Sequence, residues 1–86
     1  MPEVTIYTTG LCPYCYRAKH LLEQKGVAYR EVDVEVTPGG HEEMLKRAPG
    51  RRTVPQIFIA NRHVGGCDDL FALERAGKLD ALLKAD

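Results

Sequence analysis

A run of β-branched and aromatic residues, Val4-Thr5-Ile6-Tyr7-Thr8, leads through a short loop into Cys12-Pro13-Tyr14-Cys15, where the apolar pattern changes from strand-like to helical. Tyr14, Ala18, Leu21 and Leu22 recur at helical offsets, Pro13 suits the first helical position, and Gly26 can cap the end. The spacing therefore predicts a helix over about 13–25. Ala28 to Val34 reads as a second strand, and Glu31, Asp33 and Glu35 mark it as an edge. Strand, helix and strand within so short a stretch form a βαβ unit. Its two strands must be parallel and its crossover right-handed. Few folds begin this way and carry a cysteine pair at the first strand-to-helix turn.

The rest of the chain has to complete that sheet. Thr37-Pro38-Gly39-Gly40 breaks the chain, and His41 to Ala48 can form a short helix ended by Pro49-Gly50. Val54-Pro55-Gln56-Ile57-Phe58-Ile59-Ala60 is the most apolar stretch, expected as a central strand from Pro55. Asn61-Arg62 is a turn and His63-Val64 a short returning strand. Gly65-Gly66 leads into a helix from about Cys67, with Asp68 and Asp69 favourably placed in its first turn and Leu70, Leu73 and Ala76 as its buried stripe. Leu79 to Lys84 is a short terminal helix. The expected architecture is a single α/β domain over residues 1–86, with about four strands and helices on both faces, an order that a thioredoxin-like fold satisfies.

Composition enters where partners and compartment are concerned. Twelve basic residues balance twelve acidic ones, which gives no reason to expect a nucleic acid or an anionic membrane as partner. Met1-Pro2-Glu3 begins no export signal, and no apolar run approaches the roughly 20 residues of a membrane span. Three cysteines, Cys12, Cys15 and Cys67, are too few and odd in number for a secreted disulfide scaffold. A cytoplasmic, reducing setting is expected, where a close pair is catalytic or metal-binding.

Position divides the labour between the two cysteines. Residues three apart on a helix are neighbours, so Cys12 and Cys15 are within reach of a disulfide. Cys12 ends the loop and can face solvent, where helix N–H groups and the helix dipole favour its thiolate. Cys15 shares a face with Ala18 and Leu22 and should turn toward the core. The first can attack a disulfide and the second can resolve the intermediate. Zinc is the alternative. A lone Cys-x-x-Cys supplies two of four ligands, and Cys67 with one of His20, His41 or His63 can complete the set. The helix start inside a βαβ unit is the redox context. Otherwise the histidines read as surface residues, and Cys67 as a small, half-buried helix-start residue.

Ile6-Tyr7-Thr8, Cys12-Pro13-Tyr14-Cys15, Thr53-Val54-Pro55-Gln56-Ile57-Phe58-Ile59 and Gly65-Gly66-Cys67-Asp68-Asp69-Leu70, in this order and at these separations, resemble the dithiol glutaredoxins, most of all the bacterial glutaredoxin-3 subgroup. The resemblance extends over nearly the whole chain. It implies a four-stranded mixed sheet and a glutathione site beside Cys12. It implies a cis bond before Pro55, so that the Val54 backbone can pair with the cysteinyl part of glutathione like an added strand. By the same resemblance Gly66, Cys67 and Asp68 meet the γ-glutamyl end and Tyr14 lies against the tripeptide, with Thr53 and Pro55 framing Val54. Many members carry a lysine three residues before the first cysteine. This chain has Thr9, so Arg52 is assigned the glycine carboxylate, with Arg17 contributing charge nearby.

The expected protein is thus a monomeric, glutathione-dependent disulfide oxidoreductase. Disulfide-containing and glutathionylated proteins are its substrates, glutathione is its co-substrate, and it needs no tightly bound cofactor. Its rivals are a glutathione-ligated iron–sulfur carrier, against which Pro13 speaks, and a thioredoxin-type enzyme reduced by a flavoprotein.

Overall fold

The computed structural model describes residues 2–84; Met1, Ala85 and Asp86, the ends of the expected domain, lie outside the described residues. Its elements run β1 (Val4–Thr8), α1 (Pro13–Gln24), β2 (Arg30–Asp33), α2 (Gly40–Arg47), β3 (Gln56–Ile59), β4 (Arg62–Gly65), α3 (Cys67–Arg75) and α4 (Leu79–Lys84). The sheet order is β2-β1-β3-β4. β1 and β2 are parallel, as the βαβ reading requires, while β3 runs antiparallel to both β1 and β4.

Every residue of β1 and β3 is buried, because these two central strands are covered on both faces. On one face Val4, Ile6, Ile57 and Ile59 pack with Ala18, Leu21 and Leu22 of α1, Leu70 of α3, and Leu79 and Leu83 of α4. On the other, Tyr7 and Phe58 pack with Val32, Met44 and Ala48, the last two from α2 and its C-cap. Period-two alternation along β1 and β3 divides their side chains between these two cores. The expected mixed sheet with helices on both faces is present.

Several boundaries and faces differ from expectation. The second strand is confined to Arg30–Asp33, and β3 begins one residue after Pro55. The turn before β4 falls on Ala60-Asn61 rather than Asn61-Arg62; Ala60 adopts a left-handed φ of 55°. Ala76 is exposed because α3 ends at Arg75 with Ala76 as its C-cap, and Leu79 of α4 fills the core beyond it. Tyr14, placed by its spacing on the buried stripe of α1, is instead 56% exposed, and Cys15 takes that place. Gly26, by contrast, has the positive φ (72°) expected after a helix C-cap. Among the described residues no helix is long and apolar enough to cross a membrane.

Candidate active site

The loop Thr9-Gly10-Leu11 carries the chain from the C-terminal end of β1 to the start of α1, leaving Leu11 97% exposed. Cys12 is the N-cap of α1: its backbone is extended and its carbonyl accepts the Tyr16 N–H at 3.2 Å. Serine or aspartate commonly caps a helix through a side-chain oxygen. Here the Cys12 sulfur does so, accepting the Cys15 N–H at 3.2 Å. Pro13 at the first helical position offers no N–H and so leaves that bond uncontested.

The cap also corrects the expectation that Cys12 faces solvent. Its side chain is turned back onto the helix end, where Val54 covers it, and only 8% of the residue is exposed. The Cys12 Sγ lies 3.8 Å from the Val54 carbonyl. Cys15 is 1% exposed and faces the core, as expected. Burial pushes its thiol up to about 12, with the hydrogen bond to Cys12 adding to the rise and a main-chain contact at Thr9 opposing it. A thiol in that condition is protonated at neutral pH and waits for its neighbour to react. All three cysteines are free thiols.

Beside Cys12 opens a cleft of about 230 Å³ lined by Tyr14, Arg51, Thr53, Val54, Pro55, Gly66, Cys67, Asp68 and Asp69. Its walls come from three places: the first turn of α1, the segment entering β3, and the start of α3. The Val54-Pro55 peptide bond is cis. Of the residues assigned from the sequence, Tyr14, Thr53, Val54, Pro55, Gly66, Cys67 and Asp68 are brought together here. Arg52 is not. It lines a separate depression with His41, Leu45 and Gly50. Arg51 occupies the cleft instead, with its guanidinium 3.8 Å from the Asp69 carboxylate. Arg17 sits 5.2 Å over the Phe71 ring, between α1 and α3, and is not in the cleft wall.

The floor at α3 is held by Asp69, which the sequence reading used only for its charge. Its Oδ2 accepts the Gly66 N–H at 2.9 Å, tying the N-cap to the third helical residue. The spacing of Gly66 and Asp69 is the signal that points to this bond. Cys67 is more buried than expected, at 5% exposure, and burial raises its thiol while Arg17 pulls the other way. Among the described residues no group of three or more His, Cys, Asp or Glu side chains is placed to hold a metal ion. The zinc set that would join the Cys pair to Cys67 and a histidine is not gathered.

The arrangement can perform thiol–disulfide exchange: a sulfur that accepts a helix N–H, a protonated thiol one turn away, and an open cleft beside them. The Glutaredoxin family model matches residues 4–64 of this chain. A glutaredoxin of Pseudomonas aeruginosa is 60% identical over 85 residues, covering 99% of this chain and all of that one. Glutaredoxin 3 of Escherichia coli is 56% identical over 84 residues, covering 98% of this chain and all of its own length. Among solved structures, buckwheat glutaredoxin in complex with glutathione superposes with a TM-score of 0.85 at 33% identity, over 95% of this chain and 76% of that one. The sequence, the thiol geometry and these relatives together place this chain in the glutaredoxin family of thiol–disulfide oxidoreductases.

Proposed function

We propose that this protein reduces glutathionylated proteins and protein disulfides at the expense of glutathione, with Cys12 as nucleophile and Cys15 as resolving thiol. The observation that carries the reading is the cleft itself, which adjoins the Cys12 sulfur through the Val54 carbonyl. The start of α3 lies opposite, where N–H groups suit a carboxylate and the Asp68 side chain an ammonium. Val54 offers backbone groups to an extended peptide, Tyr14 a half-exposed ring, and Arg51 a cation that replaces Arg52 in this role. The buckwheat relative's complex with glutathione supports the choice of ligand. Leu11 and Tyr14, exposed beside the thiol, suit contact with a protein substrate.

The electron count is simple. For a glutathionylated protein, the Cys12 thiolate attacks the glutathione sulfur and the protein thiolate leaves. A second glutathione thiolate then attacks the Cys12 mixed disulfide, so that glutathione disulfide leaves and the Cys12 thiolate is restored. For a protein disulfide, the Cys12 thiolate attacks one sulfur and the other leaves as a thiolate. Cys15 then loses its proton and attacks the Cys12 sulfur of this mixed disulfide, and the substrate departs as a dithiol. Two glutathiones reduce the Cys12–Cys15 disulfide and leave as glutathione disulfide. The reaction needs no tightly bound cofactor, and the enzyme works as a monomer in the glutathione-rich cytoplasm.

The test is a coupled assay on a glutathionylated peptide and on a protein disulfide, with glutathione present or omitted. Cys15→Ser should keep substantial deglutathionylation and lose disulfide reduction, while Cys12→Ser should lose both. Turnover that survives Cys12→Ser, or that is indifferent to glutathione, would sink the proposal.

A further inference from the structure

The segment that carries Val54 to the edge of Cys12 is held in an unusual way. Among the described residues, none of the main-chain hydrogen bonds of turns, loops and caps involves Arg52, Thr53, Val54 or Pro55, and sheet pairing begins only at Gln56. What holds the segment from beneath is a side chain. Gln56 is completely buried, and its Nε2 donates to the Thr53 carbonyl at 2.9 Å and lies 3.4 Å from the Thr53 hydroxyl. Its Oε1 is 2.7 Å from Nε2 of His63 on the neighbouring strand β4.

These contacts settle which atoms donate. A main-chain carbonyl only accepts, so the Gln56 nitrogen must face Thr53 and its oxygen must face His63. The Gln56 oxygen in turn only accepts, so His63 must carry its proton on Nε2. The imidazole is fixed in that pose by stacking on Phe58, with ring centroids 4.7 Å apart and planes 16° from parallel. Burial above all, with the positive charges of Arg51 and Arg47, favours the neutral ring and holds His63 below the usual imidazole range, while the Asp69 carboxylate pulls the other way.

We propose that His63 is a positioning residue for the thiol site: through the buried Gln56 amide it holds the Thr53-Val54-Pro55 segment, and with it the Val54 backbone, at the distance from Cys12 that an incoming peptide disulfide requires. The relay runs from β4 to β3 to the cleft edge, and no atom of His63 lines the cleft. Removing the Nε2–H leaves the Gln56 oxygen buried without a donor, which frees the amide to turn and release Thr53. Its effect on glutathione rests on the function proposed above.

Two measurements decide the matter. In the unmodified protein, nitrogen NMR of the imidazole should show the Nε2–H tautomer of His63; an Nδ1–H tautomer would overturn the relay without any variant being made. His63→Phe keeps a ring to stack on Phe58 but has no donor, whereas His63→Gln can place an N–H near the Nε2 position. His63→Phe should raise KM for glutathione about tenfold, the loss expected for a buried hydrogen bond whose acceptor is stranded, with kcat changed less than about twofold. The Gln56 side-chain amide, buried and bonded to Thr53, should exchange faster with solvent in that variant, and His63→Gln should restore both readouts to within about threefold of the original. A His63→Phe protein with unaltered KM and unaltered amide exchange would overturn the proposal. Should the unmodified enzyme show no glutathione turnover at all, the functional reading fails, while the tautomer and amide exchange still judge the relay.

Discussion

Replacing Gly65 with alanine should destabilise the protein by about 2–4 kcal/mol, through a collision that involves no core residue. Gly65 ends β4 with a φ of 118°, a backbone region that residues with a Cβ rarely enter, at a cost of about 1–3 kcal/mol. A Cβ built there would lie 2.3 Å from Oδ2 and 2.8 Å from Cγ of Asp69. The carboxylate would have to swing away, and it is this same Oδ2 that accepts the Gly66 N–H. The α3 cap would then be lost, a further cost of about 0.5–2 kcal/mol. In a domain of this size the sum corresponds to a fall in Tm of roughly 10 °C or more. Urea unfolding of Gly65→Ala, Asp69→Ala and the double variant measures the parts. The double variant should cost less than the two single costs added, by about the cap energy, because Gly65→Ala has already expelled the carboxylate. Strict additivity, or a Gly65→Ala protein within about 0.5 kcal/mol of the original, would refute the mechanism. Gly66, Cys67 and Asp68 line the cleft, so the surviving folded fraction should also bind glutathione more weakly.

Two further outcomes come from the opposite face of the sheet and from the hairpin. Glu43 accepts from the Tyr7 hydroxyl and pairs with Arg30, and these partners hold its carboxyl below the ordinary value of 4.5 against a smaller opposing effect of burial. A depressed carboxylate stabilises the fold above its unfolded pKa, and that stability is lost as pH falls through the folded one. The Tm advantage of the original over Glu43→Gln should therefore be full at pH 7 and shrink as pH falls below the ordinary 4.5 and through the lower folded value; an offset constant from pH 7 to 3 would contradict this. Ala60 holds a left-handed φ of 55° with its side chain in solvent, so Ala60→Gly should gain about 0.5–1 kcal/mol in urea unfolding despite the greater freedom of glycine in the unfolded chain. A loss of stability would mean that the turn is not strained.

Local chemistry made the first half of the chain legible. Pro13, Gly26 and the cysteine spacing report on neighbours close in sequence, and β1, α1 and the opposition of Cys12 to Cys15 followed from them. What escaped depends on register and on competition between side chains. Arg51 and Arg52 are equivalent as letters, and only the path of the folded chain puts Arg51 in the cleft, near Asp69, and Arg52 outside it. Tyr14 keeps helical spacing with Ala18 and Leu21, and only the packing of α1 against the sheet leaves its ring exposed beside the buried Cys15. The pairing of Gln56 with His63 is harder still. The hairpin puts Phe58, not Gln56, opposite His63, and the amide reaches the imidazole from two residues along the same strand, where the register is irregular. The likeness to glutaredoxins located the cleft residues in the sequence, but the tethers beneath them are a property of the folded chain.

The sulfur that caps α1 links folding stability to redox state. In the reduced protein Cys12 Sγ is free to accept the Cys15 N–H, and it accepts best as an anion. Once it is bonded to the Cys15 sulfur it is a poorer acceptor, so the oxidised protein begins its helix with a weaker cap. A thermodynamic cycle requires that any folding free energy gained by the dithiol over the disulfide reappear, with the same magnitude, as ease of reducing that disulfide. The helix end thus works as a counterweight: each oxidation strains against it, and a small thiol donor has that much less to do in returning the protein to its starting state.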